Sequence, residues 1–371
     1  MKKLNICLVS LAVSPDKQDG STKFIKGLFN YLKSKENFNV KLITAKWNYR
    51  IHDPDIIQIN IIKRSYFWMP HFIIKVYKLL KKHKFDIIHG NGPKGSLPLL
   101  FLRKHKEFIT TLHDLGPYQT EFSKIPLEKY LFKQVAKKAK FITTCSESIK
   151  REINQYLPIV NMNKIFNLYS AIETRFKPHP EEASKLKARM GITGPIILYV
   201  GRIASYKGVD DIISAYKLAK KLIPDLNLII GGKPDFFMKK FYEEWKHKYD
   251  DIYFLGFISD NELPIYYSMA DIFVNYSNAG EGFGLTLIEA IACGTPVICS
   301  SLSAFREVLQ DNAFFIPPNT PSILAKEMIK LIKNEELRTN LVKKAQTYIK
   351  RYSWESVGKD LEKVYQLFSK N

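Results

Sequence analysis

Residues 281–294 read EGFGLTLIEAIACG. Gly280, Gly282 and Gly284 make a glycine-rich loop that runs into an apolar segment ending at Gly294, and Pro296-Val297-Ile298-Cys299 follows as a buried strand. Loop, helix, glycine stop and strand form one crossover unit of a parallel sheet. Glycines let a backbone approach a ligand closely. A helix start adds unpaired N–H groups and the positive end of a dipole, which suits a phosphate. Glu281 and, eight residues on, Glu289 supply carboxylates that suit hydroxyl groups. Phosphate together with hydroxyls points to a nucleotide or a nucleotide-sugar. Spacing alone also admits a bland reading, with one glutamate on a loop and the other solvated on a helix.

Working back from this stretch, the second half repeats the strand–turn–helix rhythm. Strand Ile196–Val200 leads to Gly201-Arg202-Ile203-Ala204-Ser205-Tyr206-Lys207-Gly208 and a helix over Val209–Leu222. Arg202 and Lys207, five apart on a glycine turn, offer a bidentate fork and a mobile point charge to an anion. Further strands are expected at Leu226–Ile230, Ile252–Leu255 and Asp271–Val274, and further helices at Ser322–Asn334, Glu335–Arg351 and Trp354–Phe368.

The first half has the same alternation. Leu4–Val13 reads as a buried strand; the two lysines before it resemble a leader peptide, but Asn5 interrupts the apolar run. A polar loop, Asp16–Ser21, precedes a helix opened by Gly20 and running from about Thr22 to Lys35. Apolar runs at Val40–Ala45, Ile56–Ile62, Phe108–Leu112 and Phe141–Cys145 are further strands, and Phe85–Gly92 is a strand entering a glycine turn. Such alternation implies parallel sheets covered on both faces. His113 follows its strand directly, and the carboxyl ends of strands are where open α/β sheets bind ligands. Between these elements, Ser65–Pro70 concentrates aromatics beside basic residues. In the helix that follows, Phe72, Ile73, Val76, Tyr77, Leu79 and Leu80 share one face and Lys75, Lys78, Lys81 and Lys82 the other. It reads as a crossover helix packed on the sheet, or as a basic element at a membrane surface.

With 371 residues the chain has room for two domains, and 46% hydrophobic with 25% charged residues excludes disorder. The net charge of +21 is lopsided: residues 1–180 hold 32 basic and 13 acidic residues, a net of +19. That field points to an anionic partner such as acidic lipid headgroups or a charged glycan. Nucleic acid fits poorly, because the aromatics sit in apolar runs and no reader motif is present. Four scattered cysteines form no C-x-x-C pair, which fits a reducing compartment and argues against zinc and a disulfide framework. No run approaches the ~20 apolar residues of a membrane span.

GR-x-x-x-x-KG at 201–208, followed by EGFGLTLIEAIACGTPVI with its E-x(7)-E pair, resembles the retaining nucleotide-sugar glycosyltransferases of family four. The resemblance covers nearly the whole chain and is strongest over residues 196–310. It implies the GT-B architecture: two Rossmann-like domains facing across a cleft, with a last helix crossing back to the first. The domains would be residues 1–178, which bind the acceptor and receive 354–371, and residues 179–353, which bind the donor. By matching position, Arg202 and Lys207 would hold the donor diphosphate and Glu281 the hydroxyls of the transferred sugar. Gly282, Phe283, Gly284 and Leu285 would form the backbone N–H cradle, Glu289 would bind ribose, and His113 would lie near the sugar. The first-loop Gly-Gly pair of the family is here Asp19-Gly20-Ser21, with Gly20 in the glycine role, and its boundary turn is here Ser170-Ala171-Ile172-Glu173.

The expected function is therefore retaining transfer of a hexosyl-type sugar from a UDP- or GDP-sugar, which is a substrate, with no cofactor and no metal. The expected acceptor is lipid-linked or an envelope polysaccharide such as lipopolysaccharide or capsule. The expected place is the cytoplasm, peripheral on the inner face of an anionic membrane, with no nucleic-acid partner. The alternatives are another GT-B enzyme (a soluble glycan synthase or a sugar-nucleotide epimerase), a basic nucleic-acid-binding protein, or a non-catalytic partner subunit.

Overall fold

The computed structural model describes residues 3–13, 19–63, 67–102, 107–119 and 126–370. Parts of two expected features, the polar loop at 16–21 and the aromatic stretch at 65–70, lie outside the described residues. The chain divides into two compact units, Met1–Ala171 with Tyr352–Asn371, and Ile172–Arg351.

Among the described residues the first unit has seven parallel strands: β1 (Leu4–Ser10), β2 (Phe38–Lys46), β3 (Ile56–Asn60), β4 (Ile87–Asn91), β5 (Ile109–Leu112), β6 (Phe141–Thr144) and β7 (Ile165–Asn167). Their order across the sheet is β3-β2-β1-β4-β5-β6-β7. Ile6, Cys7, Leu8 and Val9 are all fully buried. A parallel strand covered on both faces has no polar side, so the run is continuous rather than alternating. The expected first strand, Leu4–Val13, is shorter in the structure and stops at Ser10, whose hydroxyl donates to the Ala12 carbonyl.

Helix Gly20–Lys33 starts where the Asp19 carboxylate accepts from the Thr22 amide at 2.8 Å. One residue type allows it to meet the last helix, Trp354–Lys370, closely. A Cβ added at Gly27 would lie 2.2 Å from the Trp354 ring, and one at Gly358 would lie 2.0 Å from the Tyr31 ring. The last helix buries Val357, Leu361, Val364, Tyr365 and Phe368 on one stripe in the core of the first unit. Tyr31 fixes it further by donating to Glu362 at 2.6 Å. The helix Trp68–Lys82 buries Phe72, Val76 and Leu80 of the six apolar residues read from the sequence, and leaves Ile73, Tyr77 and Leu79 half-buried.

The second unit has six parallel strands: β8 (Ile196–Val200), β9 (Asn227–Gly231), β10 (Ile252–Gly256), β11 (Ile272–Asn275), β12 (Val297–Ser300) and β13 (Phe314–Ile316). They are ordered β10-β9-β8-β11-β12-β13. Both sheets therefore reverse direction once, between β1 and β4 and between β8 and β11. In a doubly wound sheet the crevice beyond the strand ends at such a reversal is the ligand site. These are the two Rossmann-like domains the sequence implies. No described helix is long and apolar enough to cross a membrane. The four cysteines are free and buried.

Candidate functional site

Two loops leave the reversal point of the second sheet, one after β8 and one after β11. The first carries Arg202 and Lys207, the second Glu281 to Gly284. Gly208 brings them together. It sits at φ +59°, and a Cβ there would fall 2.3 Å from the Tyr276 carbonyl oxygen at the end of β11. Only glycine allows both the left-handed turn and that approach. The result is an ion pair between the Lys207 ammonium and the Glu281 carboxylate, whose side chains are 14% and 11% exposed. Little water screens a pair held this deep.

Neighbouring groups fix the pair. The Ser277 hydroxyl donates to the same Glu281 oxygen and lies 3.0 Å from Asn275 Oδ1, while Asn275 Nδ2 donates to the Thr286 hydroxyl at 3.2 Å. The Arg202 guanidinium is exposed and donates to the Tyr206 hydroxyl at 2.5 Å; its centre is 5.7 Å from that ring. The Lys207 ammonium lies 5.2 Å from the same ring centroid. The buried Tyr199 hydroxyl donates to the Arg202 carbonyl at 2.9 Å. Burial first, and then the Glu281 charge, push the Tyr199 phenol far above its ordinary range, so it stays a donor.

Glu281 lies four residues before the helix Leu285–Ala292, which Gly284 opens at φ +90°. No side chain caps this helix and its first turn holds no acidic residue, which leaves its positive end to a ligand. Phe283 is buried. Glu289 is 1% exposed and its Oε2 accepts from the Tyr267 hydroxyl at 3.1 Å. Burial, with the Glu289 charge adding to it, raises the Tyr267 phenol well above its usual range.

Of the residues singled out in the sequence, Arg202, Lys207, Glu281, Gly282, Phe283, Gly284, Leu285 and Glu289 belong to this one unit. Gly20 and His113 belong to the other. Gly20 is the first residue of its helix, and the Asp19 carboxylate caps the amides there. His113 follows β5 and is partly exposed. Its ring meets Phe24 edge-on at 5.1 Å, and its Nε2 lies 2.7 Å from Asn91 Oδ1. The Asn91 amide nitrogen donates to Ser10 Oγ and the Ser21 carbonyl, both at 3.2 Å, so its oxygen faces the imidazole. Nε2 therefore carries the proton and Nδ1 the lone pair. Desolvation lowers the His113 pKa to about 4, against the pull of Asp114 and Asp19.

Sequence reasoning missed Ser277, Asn275, Tyr206 and Asn91. Asn91 and Asn275 are polar residues ending apolar strands, at the ends where open sheets bind ligands, and that position was the available signal. Among the described residues, no group of three or more His, Cys, Asp or Glu side chains is arranged to hold a metal ion.

Comparison with known proteins gives two family matches, one for each half. Residues 19–176 match the family described as Glycosyltransferase Family 4, and residues 183–348 match Glycosyl transferases group 1. Over 176 residues the chain is 30% identical to the phosphatidyl-myo-inositol mannosyltransferase of Mycobacterium leprae, covering 47% of this chain and 46% of that protein, so the match spans under half of that relative. Over 355 residues it is 27% identical to the alpha-monoglucosyldiacylglycerol synthase of Acholeplasma laidlawii, covering 86% of each. Among solved structures, Anabaena HepE in complex with UDP and glucose superposes with a TM-score of 0.79 at 18% identity, covering 99% of both chains. Two parallel-sheet units in the Rossmann order, a terminal helix returned to the first, and a family match in each half agree: the chain belongs to the family-four glycosyltransferases of group 1, with the GT-B fold.

Proposed function

We propose that this glycosyltransferase moves a hexosyl-type sugar, with retention, from a nucleoside-diphosphate-sugar (UDP or GDP) to a lipid-linked or envelope-polysaccharide acceptor at the inner membrane face. The observation that carries the reading is the Lys207–Glu281 pair beside the uncapped start of helix Leu285–Ala292, at the sheet's reversal point.

Cleaving a sugar–phosphate bond develops negative charge on the diphosphate. Fixed donors stabilise that charge as it appears, without reorganising at the moment of reaction. Arg202, Lys207 and the helix start take this role, so the reading assigns it to the protein rather than to a metal. Glu281, held by Lys207 and Ser277, accepts from the sugar's hydroxyls and orients the ring. Gly282 to Leu285 give backbone N–H groups, and Glu289 takes the ribose hydroxyls. In the first unit, the reading keeps His113, with its unprotonated Nδ1, and Gly20 as candidate residues. In the same-face course proposed here, the departing phosphate oxygen takes the acceptor's proton as the new glycosidic bond forms.

The lipid part of the reading draws support from the +19 charge of residues 1–180 and from the diacylglycerol-named relative. Two measurements test the proposal. Thermal shift with UDP, GDP and ADP should pick one base; no response to any nucleotide would defeat it. Flotation with anionic vesicles at low salt should carry the protein up, and failure there removes the membrane part alone.

A further inference from the structure

A pocket of about 320 Å³ opens in the first unit between helix Gly20–Lys33, strand β2 and the chain at residues 50–53. Its floor is apolar, with Phe29 and Leu42 buried and Ile51 and Ile56 beside them. Its polar edge holds Lys26, Asn30, Arg50, His52 and Asp53. Lys26 and Arg50 both line it, and neither makes a hydrogen bond or ion pair among the described residues. The pocket's one carboxylate, Asp53, is already answered: the Lys33 ammonium bonds it at 2.8 and 3.0 Å and reaches Asp55 at 2.8 Å. Two unanswered cations therefore sit above an apolar floor, on the more basic half of the chain.

An apolar floor under free cations fits a ligand with both characters. Phosphate is the anion that an arginine fork and a lysine hold best together. A free phosphate would leave the floor wet, and a bare hydrocarbon would leave both cations unused. We infer that this pocket holds the phosphate-bearing end of an amphiphile, with the phosphate between Lys26 and Arg50 and the adjoining apolar part on Phe29, Leu42 and Ile51. The inference deepens the lipid-acceptor reading and rests on it. The amphiphile is either the acceptor's own lipid-phosphate end or a bilayer phospholipid that holds the enzyme beside its acceptor.

The test uses the full chain, a Lys26→Ala/Arg50→Ala variant and a charge-matched control, Lys133→Ala/Lys137→Ala, whose lysines are exposed. The probes are dihexanoyl phosphatidylglycerol below its micelle concentration and inorganic phosphate, titrated calorimetrically. Wild type and control should bind the lipid alike, the pocket variant about tenfold or more weakly, since charged hydrogen bonds are lost. Inorganic phosphate should bind more weakly than the lipid. Equal lipid binding by the pocket variant, or phosphate as tight as lipid, overturns the inference. Incubating the bound lipid with UDP-glucose or GDP-mannose separates the two sources: a mass gain of one hexose marks an acceptor, and binding without gain marks a bilayer lipid. The nucleotide thermal shift of the pocket variant should match wild type. A wild type that binds lipid but no nucleotide would sink the enzymatic reading while leaving the pocket.

Discussion

The Lys207 ammonium is paired with the Glu281 carboxylate across 74 residues of sequence, and both side chains are largely withdrawn from water. Each loop is thereby fixed by the other before any donor arrives. Under the proposed function a diphosphate would meet a lysine already oriented, so less side-chain freedom would be lost on binding.

Removing either partner should therefore cost more than one contact. Lys207→Ala takes away a cation and leaves Glu281 without its counter-charge. Transfer should fall on the order of 10²–10³-fold, the usual loss for one preorganised donor to a developing anion. Glu281→Gln keeps the shape and should lose less. Initial rates on protein checked for intact thermal unfolding decide the matter, and a wild-type rate for Lys207→Ala would refute the assigned site.

Gly208→Ala tests the turn that joins the two loops. The added methyl meets the Tyr276 carbonyl, and the backbone there is left-handed. A loss of about 1–3 kcal/mol is expected for the second unit, together with weakened nucleotide response. Urea unfolding followed by nucleotide titration measures both. Unchanged stability would mean the turn can relax without glycine.

Acid should destabilise the first unit before carboxylates titrate. Burial lowers the His89 pKa to about 3, and desolvation lowers that of His113 to about 4. Unfolded histidine titrates near 6.5, so below that pH the unfolded chain binds more protons than the folded one. Stability is full above about 6.5 and drains as pH falls toward the folded values. Between pH 7.5 and 5.5 the two groups should remove about 2–3 kcal/mol. His89→Gln should lose about half of that dependence. A urea midpoint flat over the window would contradict it.

Tyr365→Phe tests the tie between the last helix and the sheet. The Tyr365 hydroxyl lies 2.9 Å from His89 Nδ1, and His89 Nε2 lies 2.7 Å from the Thr111 hydroxyl. All three residues are buried, so the variant strands one ring nitrogen. About 1–3 kcal/mol should be lost, and amide exchange should quicken along residues 354–370 first. Slow exchange there with unchanged stability would show that apolar packing alone holds the helix.

The sheets and the glycine-rich loop before helix Leu285–Ala292 were legible in the sequence because continuous apolar runs, glycine turns and paired charges repeat in a fixed order. Arg202, Lys207 and Glu281 announce themselves as charges beside glycines. Ser277 and Asn275 do not, since a serine and an asparagine at a strand end look like ordinary turn residues until Glu281 is folded back onto them. The three-residue strands β7 and β13 were illegible for another reason: so short a run carries no period of its own and pairs because its neighbour is already in place. Lys26 and Arg50 stand 24 positions apart among many solvated cations, and no local pattern marks them as sharing a pocket.

The return of residues 352–370 to the first unit has a consequence for biogenesis. A ribosome delivers the closing piece of the first core only after the whole second unit has been made. Until then Phe24, Leu28 and Tyr31 lack part of their covering, and a nascent first half depends on chaperones or on delay to stay unaggregated. A gene cut at the boundary near residue 171 would yield a sticky fragment, whereas one joining the twenty codons for residues 352–371 directly to the first half would encode a complete core.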